Sequence, residues 1–225
     1  MLCIGINSMR MIAFSGIDGS GKGTQISMVE RFFRKKNIKF KTIWARGSWT
    51  PGIELVKKLV RRDRGFSEEE KARYREEARR NPVKQKIILI LSILDLYWLL
   101  GIYYRLVSWC GKVVICDRYI WDTLADFKVN FKRYDVERWF LWRLLIKIIP
   151  KPNPSFMLMI SADKSIERGL IKQEAYMESM DVKREKVKVY EELVKQGKWS
   201  HVIDGDGSIE DIATTIRKAL AHENR

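Results

Sequence analysis

The sequence contains few of the residues that build disulfide frameworks and metal sites. Its three cysteines, Cys3, Cys110 and Cys116, are an odd number without the paired spacing of metal ligands. Its two histidines, His201 and His222, stand far from the other polar motifs. These shortages argue against a disulfide-stabilised secreted domain, a structural metal site and a histidine-based active site. A reducing, cytoplasmic compartment is the simplest expectation.

Linkers and membrane-spanning runs are also scarce. No Gly/Ser linker, internal repeat or low-complexity tract divides the chain, so we expect a single domain over residues 1–225. Residues 1–10 are too short and too weakly apolar for a signal peptide and are expected to be an N-terminal extension. The apolar run 87–109 is interrupted by Asp95 and Arg105, which favours a buried helix over a membrane span.

Positive charge, in contrast, is abundant. The chain has 43 lysines and arginines against 28 acidic residues, and its formal net charge is +15. Such a field favours polyanionic partners, namely nucleotides, nucleic acid or an anionic membrane surface. The charge alone does not choose among them.

Apolar segments rich in strand-forming residues alternate with helical patterns. The predicted strands are Met11–Ser15, Phe40–Trp44, Val113–Cys116, Phe156–Ile160 and His201–Ile203. The predicted helices are Gln25–Lys36, two or three within 53–108, and single ones near 134–147, 181–196 and 208–221. This alternation predicts βαβ units with right-handed crossovers, hence a three-layer α/β/α sandwich around a five-stranded parallel sheet. Ligands of such sheets bind beyond the carboxyl ends of the strands.

The first predicted strand leads directly into a glycine-rich turn and a helix. This turn reads Gly16-Ile17-Asp18-Gly19-Ser20-Gly21-Lys22-Gly23-Thr24. Glycines allow the tight backbone that points N–H groups at phosphate oxygens, and Lys22 reaches the β- and γ-phosphates. The pattern predicts a P-loop that binds ATP through residues 16–24. Gly23 stands where Ser or Thr usually follows the lysine, so Thr24 is the nearest hydroxyl for the Mg²⁺ that accompanies ATP.

A second motif follows the third predicted strand. Val113–Cys116 ends in Asp117-Arg118-Tyr119. A carboxylate at a strand end beside the P-loop can hold Mg²⁺-bound water or orient an acceptor, and a neighbouring arginine can clamp phosphate. We therefore assign catalysis to Lys22, Asp117 and Arg118, and a metal role to Asp117. The alternative for Asp117 and Arg118 is a structural salt bridge at the end of a strand.

Three segments together resemble the thymidylate kinase family. They are G-I-D-G-S-G-K-G-T-Q, then G-K-V-V-I-C-D-R-Y, then V-I-D-G, and the resemblance covers Met11 to Leu220. It implies transfer of phosphate from ATP to the 5′-phosphate of a pyrimidine deoxynucleotide, without a covalent intermediate. Position by position, the resemblance assigns Asp18 to the acceptor sugar and Arg118 to the phosphates.

Further roles follow from the same resemblance. Arg46, after the second strand, would hold the acceptor phosphate, and Tyr119 would belong to the acceptor site. Gly205 and Asp206, in the loop after the last strand, would flank adenine. For Arg46 the alternative is a solvated loop arginine.

The chain departs from the family where the family reads thymine or the acceptor. Arg46-Gly47-Ser48-Trp49 replaces the family's Arg-Glu-Pro-Gly, Leu96 replaces a base-reading arginine, and Asp126-Phe127 replaces Tyr-Gln. The ATP-binding segment is intact. The sequence therefore predicts an ordinary ATP site and an acceptor site with weak or tolerant dTMP recognition.

Phosphoryl transfer also needs positive charge over the transferring group. Some thymidylate kinases place an arginine in the P-loop where this chain has Gly19, so a lid at about 168–184 should supply the cation. Arg168 and Lys172 are the nearest candidates, with Lys183 and Arg184 beyond. Each of them can alternatively be a solvated helix charge.

Two other functions remain compatible with the sequence. One is a kinase of the same fold that phosphorylates another nucleotide, a nucleoside or a sugar. The other is a nucleic-acid- or membrane-associated ATPase, in which hydrolysis drives motion. Motor ATPases usually have a Glu after the strand-end Asp to activate water, whereas here Arg118 follows Asp117. We expect a small nucleotide substrate and no nucleic acid partner. The apolar run 139–147 favours core or a homodimer face over membrane binding.

Overall fold

The computed structural model describes residues 11–45, 81–172 and 178–222. They form one parallel sheet of five strands with the order β2-β3-β1-β4-β5. The strands are β1 (Met11–Ser15), β2 (Phe40–Trp44), β3 (Val113–Asp117), β4 (Ser155–Met159) and β5 (His201–Asp204). The predicted α/β fold with a five-stranded parallel sheet is confirmed, and the strand boundaries agree to within one residue.

Helices cover both faces of the sheet. They are α1 (Lys22–Lys35), α2 (Pro82–Leu96), α3 (Tyr104–Trp109), α4 (Ile120–Asn130), α5 (Phe140–Ile148), α6 (Ala162–Ile171), α7 (Met180–Lys195) and α8 (Ile209–His222). A π-helical segment, Tyr97–Tyr103, joins α2 to α3, and a 3₁₀ turn, Val136–Arg138, precedes α5. α1 and α8 pack on one face with Ile12 and Phe14, whereas Met11 and Ala13 face the core on the other side.

The strand register brings three strand ends to one level. Phe14 of β1 pairs with Asp117 of β3, and Asp117 pairs in turn with Trp44 of β2. The loops that leave β1 and β3 therefore start side by side, at the edge where parallel sheets bind ligands. Trp44 ends its strand at the same edge.

Helices α4 and α6 have no counterpart among the helices predicted from the sequence. Buried residues fall on nearly every side of α4, so its sequence lacks a stripe with helical period. The buried positions of α6 are Ala162, Ser165 and Gly169, so the helix packs on the fold without large apolar side chains. Small residues at these positions let α6 lie close to the glycine-rich loop.

The long helix Pro82–Trp109 is the one helix among the described residues that is long and apolar enough to cross a membrane. Half of its most apolar stretch is buried inside the fold, and core helices of water-soluble proteins pass the same test. The sequence suggested a helix apolar and buried nearly all round. The structure buries one face, through Leu89, Ile93 and Leu96, and leaves the opposite face exposed.

Candidate active site

The glycine-rich loop adopts a backbone that other residues rarely reach. Gly19 and Gly21 have φ values of 79° and 88°, and Gly21 caps α1. At Gly16, with φ 144°, an added Cβ would lie 2.5 Å from the Leu158 carbonyl oxygen. This turn places its N–H groups and the positive end of the α1 dipole at the carboxyl edge of the sheet, where they suit an anionic ligand.

Lys22 is folded back across this loop. Its Nζ donates to the carbonyl oxygens of Gly16 and Ile17, both at 2.8 Å, and to Ser20 Oγ at 3.3 Å. Burial, with the positive charge of Arg118, lowers the pKa of Lys22 to about 7. A polyanion bound in the loop would raise the pKa of Lys22, so this lysine takes up a proton when the ligand binds.

Arg118 ties the end of β3 to the loop. Its backbone N–H donates to the Phe14 carbonyl at 2.8 Å, and its guanidinium donates to the Gly16 carbonyl at 3.1 Å and to the Asp18 carboxylate. The residue is 5% exposed and has a φ of 73°, a left-handed conformation unusual for arginine. Surrounding contacts therefore hold Arg118 in a strained backbone, as is common at functional sites.

Asp117 presents an oxygen that the protein does not satisfy. Its Oδ1 is buried and has no hydrogen-bond partner in the structure as described. Burial raises the pKa of this carboxyl group. A buried acceptor without a donor is costly, and a carboxylate oxygen is a preferred ligand for Mg²⁺ or its bound water. The oxygen of Asp117 fits a metal ion that arrives with a ligand. In the described ranges, no cluster of three or more His, Cys, Asp or Glu side chains could hold a metal ion.

These groups converge on one cavity of about 210 Å³. Its lining consists of loop residues, strand-end residues and the residue that ends α6: Asp18, Gly19, Ser20, Gly21, Lys22, Gly23, Trp44, Asp117, Arg118 and Lys172. The structure thus brings together both sequence motifs and Lys172, one of the two nearest candidates for the lid cation.

The other nearest candidate, Arg168, braces the opposite side of the loop. Its guanidinium donates to the carbonyl oxygens of Gly19 and Gly205 at 3.2 and 3.0 Å, and to Asp206 Oδ1 at 3.3 Å. Ser165 Oγ donates to the Asp18 carbonyl at 2.6 Å. The residues expected to flank adenine therefore lie next to the P-loop, joined to it by Arg168.

Gly205 is required by this close approach. A Cβ there would lie 2.7 Å from Ile160 Cγ2 and 3.2 Å from the Ser20 carbonyl oxygen. Any larger residue would push the loop after β5 away from the P-loop.

Other predicted site residues lie apart from the cavity. Tyr119 is 3% exposed and its hydroxyl donates to the Pro150 carbonyl, which favours a packing role over the substrate contact expected from the sequence. Thr24 is exposed on α1 outside the cavity lining. Arg46 lies outside the described residues.

The two remaining lid candidates also differ in their surroundings. Lys183 is 1% exposed on α7, and Arg184 lies 3.6 Å from the Asp163 carboxylate. Of the expected lid at about 168–184, the structure describes the end of α6 and the start of α7, and residues 173–177 lie outside the described part.

The positions that replace base-reading residues have structural partners. Leu96 is fully buried in the core, and the Phe127 ring packs on the Trp142 ring at 5.9 Å. Asp126 lies 2.6 Å from Lys186 Nζ. None of these three side chains lines the cavity, so they do not take the place of the family's polar base contacts there.

Sequence reasoning missed two residues of this region. Trp44 lines the cavity, and its place at a strand end beside the P-loop could have identified it. Asp122 is fully buried and accepts hydrogen bonds from the backbone of both motifs. No local signal singles out Asp122, because the same helix also contains Asp126 and Lys128.

A P-loop with its lysine after a central strand, and an Asp-Arg pair after the neighbouring strand, define a P-loop nucleotide phosphotransferase. The family model described as thymidylate kinase matches residues 14–216. The chain therefore belongs to the thymidylate kinase family and is a nucleoside-monophosphate kinase of that type, an ATP-dependent transferase.

Three curated relatives support this placement. A thymidylate kinase of Caldicellulosiruptor saccharolyticus is 25% identical over 94% of this chain and 95% of its own. Probable thymidylate kinase 2 of Saccharolobus solfataricus is 23% identical over 93% and 94%, respectively. A probable thymidylate kinase of Pyrococcus horikoshii is 27% identical over 94% and 96%.

Proposed function

We propose that this chain transfers the γ-phosphate of Mg²⁺-ATP to the 5′-phosphate of dTMP and tolerates related pyrimidine monophosphates. The observation that carries the proposal is the convergence of Lys22, Asp117, Arg118 and Lys172 on one cavity at the mouth of the P-loop. A bound Mg²⁺, which Asp117 would hold directly or through water, would offset the negative charge of the ATP phosphates.

Each of the converging residues has a role in this proposal. The N–H groups of the loop bind the ATP phosphates, and Lys22 neutralises charge that develops on the transferring group. Asp117 Oδ1 holds the metal or its water. Arg118 and Lys172 place positive charge around the donor and acceptor phosphates, and Asp18 orients the acceptor.

Other residues act at the edges of the site. Gly205 and Asp206, positioned by Arg168, flank the adenine of ATP. Thr24 is exposed outside the cavity lining and is assigned no metal role, and Arg46 is the proposed ligand of the acceptor phosphate. The chain is proposed to act as one domain in the cytoplasm, with residues around 168–184 as the lid.

Tolerance for the acceptor base follows from the replaced positions. Leu96 and Phe127 are buried among apolar side chains, and Asp126 is paired with Lys186. A site discriminates strongly between bases when its buried polar groups pair with the correct base and are left unpaired by an incorrect base. These three positions supply no such groups, so discrimination should be modest.

The test is coupled ADP release with dTMP, dUMP, UMP, CMP and AMP at equal concentrations, with Lys22→Ala as the inactive control. We expect turnover with dTMP and with at least one other pyrimidine monophosphate. Efficient turnover of dTMP with sharp rejection of the other four would contradict the proposed tolerance. ATP binding without turnover of any of them would contradict the nucleotide acceptor and favour another small molecule.

A homodimer is proposed from the exposed face of the long helix. This face, called the apolar stripe, consists of Val83, Ile87, Leu91, Leu94, Trp98, Ile102, Leu106 and Trp109. Their exposed fractions range from 37% to 88%, and a contiguous exposed apolar face of this kind is typical of a protein–protein interface. A straight stripe on one helix can pair with its own copy about a two-fold axis.

The oligomeric state can be tested with two matched variants. Ile102 in the stripe and Val202 on β5 are both 49% exposed. Light scattering should give a dimer mass for the wild type and for Val202→Glu, and a monomer mass for Ile102→Glu. A monomeric wild type would contradict the dimer, and binding of that monomer to anionic vesicles would assign the stripe to a membrane surface.

A further inference from the structure

Asp122 lies at the centre of a buried hydrogen-bond network next to the cavity. Its Oδ2 accepts from Ser15 Oγ at 2.5 Å and from the Tyr119 N–H at 2.9 Å. Its Oδ1 accepts from the Gly16 N–H at 3.1 Å and from the Tyr190 hydroxyl at 2.8 Å. The residue is fully buried, so these four donors take the place of water around the carboxylate.

Three of the four donors belong to parts of the chain that carry the site. Ser15 ends β1, Gly16 opens the P-loop, and Tyr119 immediately follows Arg118. Arg118 NH1 also lies 3.7 Å from Asp122 Oδ1. A carboxylate can accept several hydrogen bonds at once and offsets a nearby guanidinium charge, which a neutral side chain of this size cannot do. Asp122 therefore helps to hold Gly16 and Arg118 relative to each other.

The fourth donor comes from α7. Tyr190 is 1% exposed, and burial together with the nearby Asp122 charge raises its pKa, so its hydroxyl stays protonated and donates. One turn away from each residue, Lys186 pairs with Asp126 at 2.6 Å, and it also pairs with Glu178 at 2.5 Å. α7 is thus joined to α4 by two consecutive polar contacts.

We propose that Asp122 and Tyr190 form a positioning pair, which couples the placement of α7 to the geometry of Gly16 and Arg118. The inference rests on the proposed function and deepens it by naming residues that control the same site from outside. Neither residue lines the cavity, so the pair acts through the groups it holds. Loss of the Tyr190 hydroxyl should therefore reduce the rate of transfer more than the binding of ATP, because rate depends on orientation within fractions of an ångström.

The test compares Tyr190→Phe with Tyr134→Phe in the full chain. Tyr134 is a matched control because its hydroxyl donates one hydrogen bond of 2.6 Å, to the Pro82 carbonyl, and it does not line the cavity. We expect Tyr190→Phe to lower kcat about tenfold with KM for ATP changed less than about twofold, and Tyr134→Phe to change neither. Equal kcat values for the two variants would overturn the proposal.

A double-mutant cycle identifies the residue through which the pair acts. If Tyr190 acts through Arg118, the loss in Tyr190→Phe combined with Arg118→Lys will be smaller than the product of the single losses. Losses that multiply would overturn the coupling to Arg118.

A third readout does not depend on the acceptor. Hydrogen exchange of the Gly16 amide should be faster in Tyr190→Phe than in the wild type and unchanged in Tyr134→Phe, because the Gly16 N–H donates to Asp122. If the wild type phosphorylates none of the monophosphates, the proposed function fails, yet this exchange difference still tests the pair. Unchanged exchange in Tyr190→Phe would overturn the coupling itself.

Discussion

Replacement of Arg118 by lysine separates a phosphate clamp from a structural salt bridge. The guanidinium uses one nitrogen for the Gly16 carbonyl and the other for the Asp18 carboxylate, and a lysine Nζ cannot reach both in the same geometry. The charge is kept and the left-handed backbone is equally strained for both residues. The change therefore removes one hydrogen bond to a charged group, which is worth about 2 kcal/mol.

That magnitude sets two expected results. A loss of about 2 kcal/mol in transition-state stabilisation lowers kcat/KM roughly 30-fold. The same loss in the free energy of unfolding lowers Tm by about 4–8 °C in a chain of this size. Coupled ADP release and calorimetry on one preparation measure both, with exposed Arg143→Lys on α5 as the control. A lower Tm with kcat/KM within about twofold of the wild type would refute the clamp, since only the salt bridge would then be supported.

Three further predictions concern the P-loop. Lys22→Ala should fold and lose about 150-fold or more in kcat, about 3 kcal/mol or more, and a folded variant with near-normal turnover would contradict the role of Lys22. Because the pKa of Lys22 is about 7 without ligand and phosphates raise it, ATP binding at pH 8 should take up close to one proton. Above about pH 7 the complex binds more protons than the free protein, so the affinity for ATP should fall as pH rises from about 7. Calorimetry in buffers of different ionisation enthalpy measures the proton uptake. Lys22→Ala should abolish this uptake. A Cβ at Gly23 meets no atom within 4 Å. Gly23→Ala should therefore stabilise α1 by about 0.5–1 kcal/mol. Gly23→Ser should lower the Mg²⁺ concentration needed for turnover relative to Gly23→Ala. Equal Mg²⁺ requirements of the two variants would argue against a metal role for a hydroxyl at this position.

The sheet and the phosphate site were predictable because local signals and topology agree there. Strand runs with β-forming residues, a glycine-rich turn and a lysine at the helix start specify the P-loop within one short segment. The rule that parallel strands end at a common edge then places Asp117 and Arg118 beside it. The cavity that contains both motifs follows from these local signals.

The connections between distant segments were not predictable in the same way. Asp122 with Tyr190, and Arg168 with Gly205, are pairs separated by many residues, and no local pattern shows that their helices meet. Helices α4 and α6 were missed because one is buried on nearly all sides and the other uses small residues at its contacts. Contacts on nearly all sides, rather than an amphipathic period, determine α4.

The most direct test of the account is product analysis after incubation of the full chain with Mg²⁺-ATP and dTMP. We expect dTDP and ADP to form in equal amounts, no inorganic phosphate to accumulate, and Lys22→Ala to form neither product. Release of ADP with inorganic phosphate and without dTDP would contradict it, because the cavity would then activate water rather than a nucleotide acceptor.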